Sequence, residues 1–173
     1  MSKRDRDAEG RPTYAGARDQ YGRPRPRGSA DALRQRVHPP NEVEEAIRLG
    51  ADLFDQHRFF EAHELFEHVW KSDEIAGGET RFWKAVTQVC VGFCHVQRGN
   101  SDGARSVLAR AARVLESDRR VLRNVDGTAL AVGARAVYSL LAAHAEADEV
   151  QFPRFPRGGQ AARKRPKAGE RQR

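Results

Sequence analysis

The sequence is poor in cysteine, poor in methionine and without any long apolar run. Each shortage excludes something. Two cysteines are too few for a disulfide framework or a four-thiolate zinc centre. They are Cys90 and Cys94, four residues apart in an apolar stretch, which is the spacing of two small core residues on one helix face. No stretch approaches the ~18 apolar residues of a membrane span. Met1 is followed by "SKRDRDAEG" rather than by the apolar core of a signal peptide, so a cytoplasmic protein is expected. No alternating apolar and polar run lies between turn signals, so no strand is expected. A Gly-rich phosphate loop, a nucleophile elbow and a dinucleotide fingerprint are also missing.

Charge is plentiful but unevenly spread. The 173 residues carry a formal +7. Residues 1–40 hold ten Lys/Arg against five Asp/Glu, and residues 153–173 hold eight against one. The tails are thus +5 and +7, which leaves residues 41–152 at −5. The high pI belongs to the ends, and it does not by itself make the middle a nucleic-acid-binding domain. Both tails are rich in Arg, Gly and Pro and lack apolar periodicity. Such segments cannot bury enough surface to offset their ordering entropy, so disordered tails are expected over 1–40 and 153–173. Their charge suits weak contact with polyanions and implies no membrane partner.

Between the tails, residues 41–152 read as one all-α domain, a single compact bundle of about five helices. "PPNEVEEAIRLGADLFDQ" offers Asn41 as an N-cap with Glu44 three residues on, the pattern of a capping box. Val43, Ala46, Ile47, Gly50, Leu53 and Phe54 then form one apolar stripe. A second helix is expected over roughly 59–72. A third, over about 79–98, is apolar nearly all round and belongs at the centre. Gly99 suits its C-terminal cap, and Asn100 or Ser101 can open a fourth helix. "NVDGT" reads as a turn through Asp126 and Gly127, before a fifth helix over about 128–147.

The second helix is the unusual one. "RFFEAHELFEHVWK" packs two His, three Glu, a Trp and three Phe into fourteen residues. At 100° per residue, Ala62, Phe66, Val69 and Trp70 share the face of Phe59. His63 and Glu67 fall on or beside that buried face, one turn apart, so their side chains lie one above the other. Glu61, Glu64 and His68 fall on the wetter side. A carboxylate beside aromatic surface needs a partner. The His63–Glu67 spacing suits two ligands of one divalent ion, and equally a plain hydrogen-bonded pair. Gln88 and His95 share a face of the third helix. If the two helices pack antiparallel, His63, Glu67 and His95 form a set that zinc, manganese or iron accepts, with Gln88 supporting it.

His63, Glu67 and Trp70 also carry a resemblance. With "FFEAHELFEHVW" and "RFWKAVTQVCVGFCHVQRGNSDGA" around them, residues 43–118 resemble domain-of-unknown-function family 309 of bacteria and archaea. That family is recognised by a His-x-x-x-Glu-x-x-(Trp/Tyr) motif. The resemblance implies an all-α fold and a metal-binding role for the motif, without a defined reaction.

Three readings of the cluster stand side by side: a metal site, a satisfied structural pair, and a metal-free pocket. In the first, the protein binds one divalent metal and is a candidate metal-dependent hydrolase. Glu64 would then be the proton acceptor, and Trp70, Gln88 and His68 would line the pocket. In the second, the protein is a non-catalytic interaction module whose basic arms hold a protein or RNA partner. His57 reads as a loop residue, His38 and His144 as solvent-side, and Trp83 as core.

Overall fold

The computed structural model describes residues 18–19, 21–26 and 37–158. Five helices dominate: α1 (Val43–Asp55), α2 (Phe59–Lys71), α3 (Gly77–Gln97), α4 (Ser101–Asp118) and α5 (Gly127–Ala142). A two-residue-per-strand hairpin, β1 (Val121–Leu122) and β2 (Val125–Asp126), sits between α4 and α5. The tail segments expected at 1–17, 27–36 and 159–173 lie outside the described residues, and with them most of the basic charge of the interaction-module reading.

Each helix packs on its neighbours in sequence. Ring contacts give the directions. Phe59 meets Phe93 while Phe66 meets Trp83, so α2 and α3 run antiparallel. The apolar α3 is central as expected: Phe82, Trp83, Val86, Val89, Cys90, Phe93 and Val96 are all buried. Gly99 at φ 68° ends it. The Gly99 N–H donates to the Val96 carbonyl and the Asn100 N–H to the His95 carbonyl, the paired bonds of a Schellman turn. Asn100 then caps α4 by accepting from the Gly103 N–H at 3.0 Å.

Several local expectations change. The capping box at Asn41 does not form, because Glu42 is the N-cap residue of α1 and makes no side-chain cap bond. The Glu44 carboxylate is engaged elsewhere, accepting from Arg123 Nη1 at 2.6 Å. The chain turns at Arg123 and Asn124, both at positive φ, rather than at Asp126–Gly127. Two left-handed residues between paired strands make the tight hairpin that the sequence reading missed. Arg123 is held in that turn by Glu44, by Glu79 at 3.2 Å and by the Glu74 carbonyl at 3.2 Å. Asp126 instead caps α5, accepting from the Ala129 N–H at 2.9 Å. That helix stops at Ala142, five residues before the expected end, and His144 takes a left-handed conformation just beyond.

The largest change lies at the C-terminal boundary. Residues 153–158, expected to be tail, are packed on the bundle. Phe155 is 3 % exposed and stacks on Phe66 at 5.3 Å and 11°. Its backbone N–H donates to Asp55 Oδ1 at 2.7 Å. Arg157 donates to Asp55 Oδ2 at 2.6 Å and to Asp52 Oδ1 at 2.7 Å. The Asp126 N–H donates to the Pro156 carbonyl and the Gly158 N–H to the Asn124 carbonyl. Residues 153–158 are therefore packed as part of the bundle rather than standing free of it. Six residues dominated by Pro, Arg and Gly hid two anchors: one aromatic ring and one guanidinium.

Candidate metal centre

α2 buries Phe59, Ala62, Leu65, Phe66 and Val69 against its neighbours, the 3.6-residue stripe that turns the helix inward. Next to that stripe, His63 and Glu67 are partly buried, as the helical angles require. The wetter side holds one surprise. Glu61 is 5 % exposed. Arg58, just ahead of the helix, donates to its Oε1 from Nη2 at 2.6 Å and from Nε at 3.1 Å. The pair lets a carboxylate sit inside the protein, where unpaired it would be costly.

His63, Glu64 and Glu67 form a cluster in which one ligand atom from each lies within 4.8 Å of the others. His63 Nδ1 is 3.2 Å from Glu64 Oε1, and Nε2 is 3.8 Å from Glu67 Oε2. Neither contact makes an aligned hydrogen bond: 3.8 Å is too long, and Nδ1 is a buried nitrogen with no hydrogen-bond partner despite its 3.2 Å approach to Glu64. Nδ1 still acts on the Glu64 carboxylate as a bent hydrogen bond would, so this nitrogen is poorly served rather than isolated. Lys71, one turn after Glu67, forms an ion pair with it, Nζ lying 2.7 Å from Oε1. The His63 ring holds the Glu64 carboxyl below its ordinary value, against the upward pull of partial burial, and the charges of Arg18 and Lys71 lower it further. The Glu64 carboxylate is thus favoured in its charged form. Phe60, at a centroid distance of 6.1 Å, stacks on the His63 ring.

The other expected residues lie elsewhere. His95 is outside the cluster, and its Nδ1 is 3.0 Å from Asn100 Nδ2 at the end of α3. Burial pushes its imidazole pKa down, and the Arg98 guanidinium adds to this. Gln88 is exposed and lines a groove of about 460 Å³ between α3 and α4, with Thr80, Arg81, Lys84 and Val114. Trp70 is half-buried and carries Lys84 Nζ 4.5 Å and Lys71 Nζ 5.4 Å from its ring centroid. His68 is half-buried and outside the cluster. Cys90 and Cys94 are buried free thiols, as their spacing suggests. Lys71 was missed, although its place four residues after Glu67 is a legible ion-pair spacing.

As a ligand set, one imidazole and two carboxylates fit zinc, manganese or iron(II). The set comes from five consecutive residues of one helix, so the outward side of an ion there would be left to water or substrate.

Comparison with known proteins agrees with the resemblance. Residues 47–107, from α1 into α4, match the family described as "Domain of unknown function (DUF309)". A curated relative, "Uncharacterized protein YpuF" of Bacillus subtilis, is 31% identical over 67 residues. That match spans 39% of this chain and 38% of the relative, so the chain covers well under two thirds of its length. No solved structure matches the chain. The family match takes in all of α2 and α3, and so the whole His63–Glu64–Glu67 cluster. Residues 47–107 are thus similar to the DUF309 family, and the rest of the chain lies outside that match.

Proposed function

We propose that this protein binds one divalent cation on α2, held by His63, Glu64 and Glu67. The observation that carries the reading is the His63 ring set between two carboxylates, its buried Nδ1 3.2 Å from Glu64 without an aligned hydrogen bond and its Nε2 3.8 Å from Glu67. A divalent ion at the His63 ring would bind whichever ring nitrogen carries no proton, with the two carboxylates balancing its charge. His95 is replaced in the ligand set by Glu64, which makes Glu64 a ligand rather than a separate proton acceptor.

The finer reading is a metal-dependent hydrolase. A bound ion with open positions lowers the pKa of its water and supplies a nucleophile near neutral pH. This chain's part is to hold the ion, with the Phe60 ring stacked on His63 beside it. Lys71 sets the cost of loading, because an ion drawing on Glu67 must compete with the ammonium 2.7 Å away.

Calorimetric titration with manganese(II) and zinc(II) tests the reading. One site per chain is expected, lost in His63→Ala and weakened at least tenfold in Glu64→Gln. Lys71→Met is expected to tighten binding, since it removes a competing cation. Equal titration of wild type and His63→Ala would overturn the assignment.

A further inference from the structure

The corner of the bundle beside His63 is not bare. A piece of the N-terminal region lies against the same corner of the bundle. Asp19 builds a tight turn there. Its Oδ1 accepts from the Tyr21 N–H at 2.9 Å and from the Arg23 N–H at 2.8 Å. Its backbone carbonyl accepts from the Gly22 N–H at 2.9 Å. Arg18 and Pro24 pair as an isolated bridge across the turn.

Three contacts fasten this turn to α2 and α3. Gly22, at φ 78°, is buried on the Phe60 ring so closely that a Cβ would lie 2.2 Å from Phe60 Cδ2. Arg98, at the end of α3, donates to the Tyr21 carbonyl from both Nε and Nη2. The Arg18 guanidinium sits 5.2 Å from the Phe60 ring centroid and donates to the Gly22 carbonyl at 2.7 Å. Phe60 is the ring stacked on His63, and the Arg18 charge is felt at Glu64.

We propose that residues 18–19 and 21–24 act as a strap over the His63–Glu64 corner, and that strap docking competes with a divalent cation for that corner. The inference rests on the cation reading above and adds its regulation. Docked, the strap brings the Arg18 charge to the carboxylate that the ion needs, and like charges so placed repel. Coupling of this kind is reciprocal: a cation weakens strap docking by the factor by which the strap weakens cation binding. The strap is fastened by the Arg98 clasp, by Gly22 and Arg18 on one Phe60 ring, and by its own turn. It therefore belongs to the low-stability end of the structure and can open while the bundle stays folded.

The test uses the full chain and manganese(II) alone. Gly22→Val cannot sit on Phe60, and Arg98→Ala loses the clasp on Tyr21, so each frees the strap by a different route. Both variants are expected to bind manganese at least fivefold tighter than wild type. Chymotryptic cleavage after Tyr21 in the wild type is expected to accelerate on adding manganese, and not to do so in His63→Ala. Binding by the variants alone would support the competition in its strongest form. Equal binding by wild type and both variants, with cleavage at Tyr21 unmoved by manganese, would overturn the strap while leaving the cation site standing. No uptake by any of the three proteins would remove the cation reading, and this inference with it.

Discussion

Residues 153–158 can be removed or altered without touching a helix, and the effect should still be large. Phe155 is 3 % exposed, stacked on Phe66 and edge-on to Phe54 at 5.2 Å. Truncating such a ring to Ala leaves a cavity as well as losing its transfer free energy, about 3–5 kcal/mol together. For a bundle of this size each kcal/mol lowers the melting temperature by ~3–5 °C, so Phe155→Ala is expected to lose about 10–20 °C. A chain ending at Phe152 should lose at least as much. It also gives up the Arg157 bonds to Asp52 and Asp55, and charge-assisted bonds contribute ~1.5–3 kcal/mol each before discounting for their partial exposure. Thermal unfolding followed by far-UV circular dichroism reads both numbers on one signal, because the helices report the bundle and not the tail. A truncated chain melting within about 2 °C of the full one would refute the packing argument.

Other outcomes follow from the same geometry. Arg58→Ala leaves the Glu61 carboxylate inside the protein without its partner. It should cost about 2–3 kcal/mol in chemical denaturation, below the ~3–5 kcal/mol of fully buried pairs because Arg58 is 26% exposed. Adding Glu61→Gln to that variant should recover part of the loss, and no recovery would mean that the cost is packing rather than charge. Burial pushes the Cys94 thiol up to about 12 and Cys90 also well above its ordinary value. At pH 8 a thiol near 12 is ionised in roughly one molecule in ten thousand, so neither cysteine should react with iodoacetamide until the protein unfolds. Labelling of the native protein at the rate of a free thiol would show that α3 opens locally.

Much of the fold was legible because helical periodicity is a strong signal. α3 reads as central from its apolar residues alone, and Gly99 and Asn100 mark the junction to α4 by their own backbone chemistry. What escaped was held by contacts distant in sequence. The hairpin turns at Arg123, a residue with no turn preference, because its guanidinium reaches Glu44 and Glu79. Phe155 follows a proline in a basic stretch, and nothing local announces that Asp55 waits one hundred residues away. Helical angles placed His63 and Glu67 correctly at the edge of the core. They could not decide whether His95 meets His63, since the register of α2 against α3 sets which side chains meet. Glu64 is on the wetter side by angle yet close to the His63 ring, because neighbouring side chains at a helix edge lean together. Glu61 is buried for a reason equally hidden from periodicity, the Arg58 guanidinium folded over it.

The central claim is that His63, Glu64 and Glu67 hold an ion, and metal content is its most direct measure. The untagged protein, purified without chelator, would be analysed by plasma mass spectrometry beside His63→Ala. About one equivalent of zinc, manganese or iron per chain in the wild type, and none in the variant, is the predicted result. No metal in either protein, together with a large fall in melting temperature for His63→Ala, would make the cluster a structural pair and contradict the account.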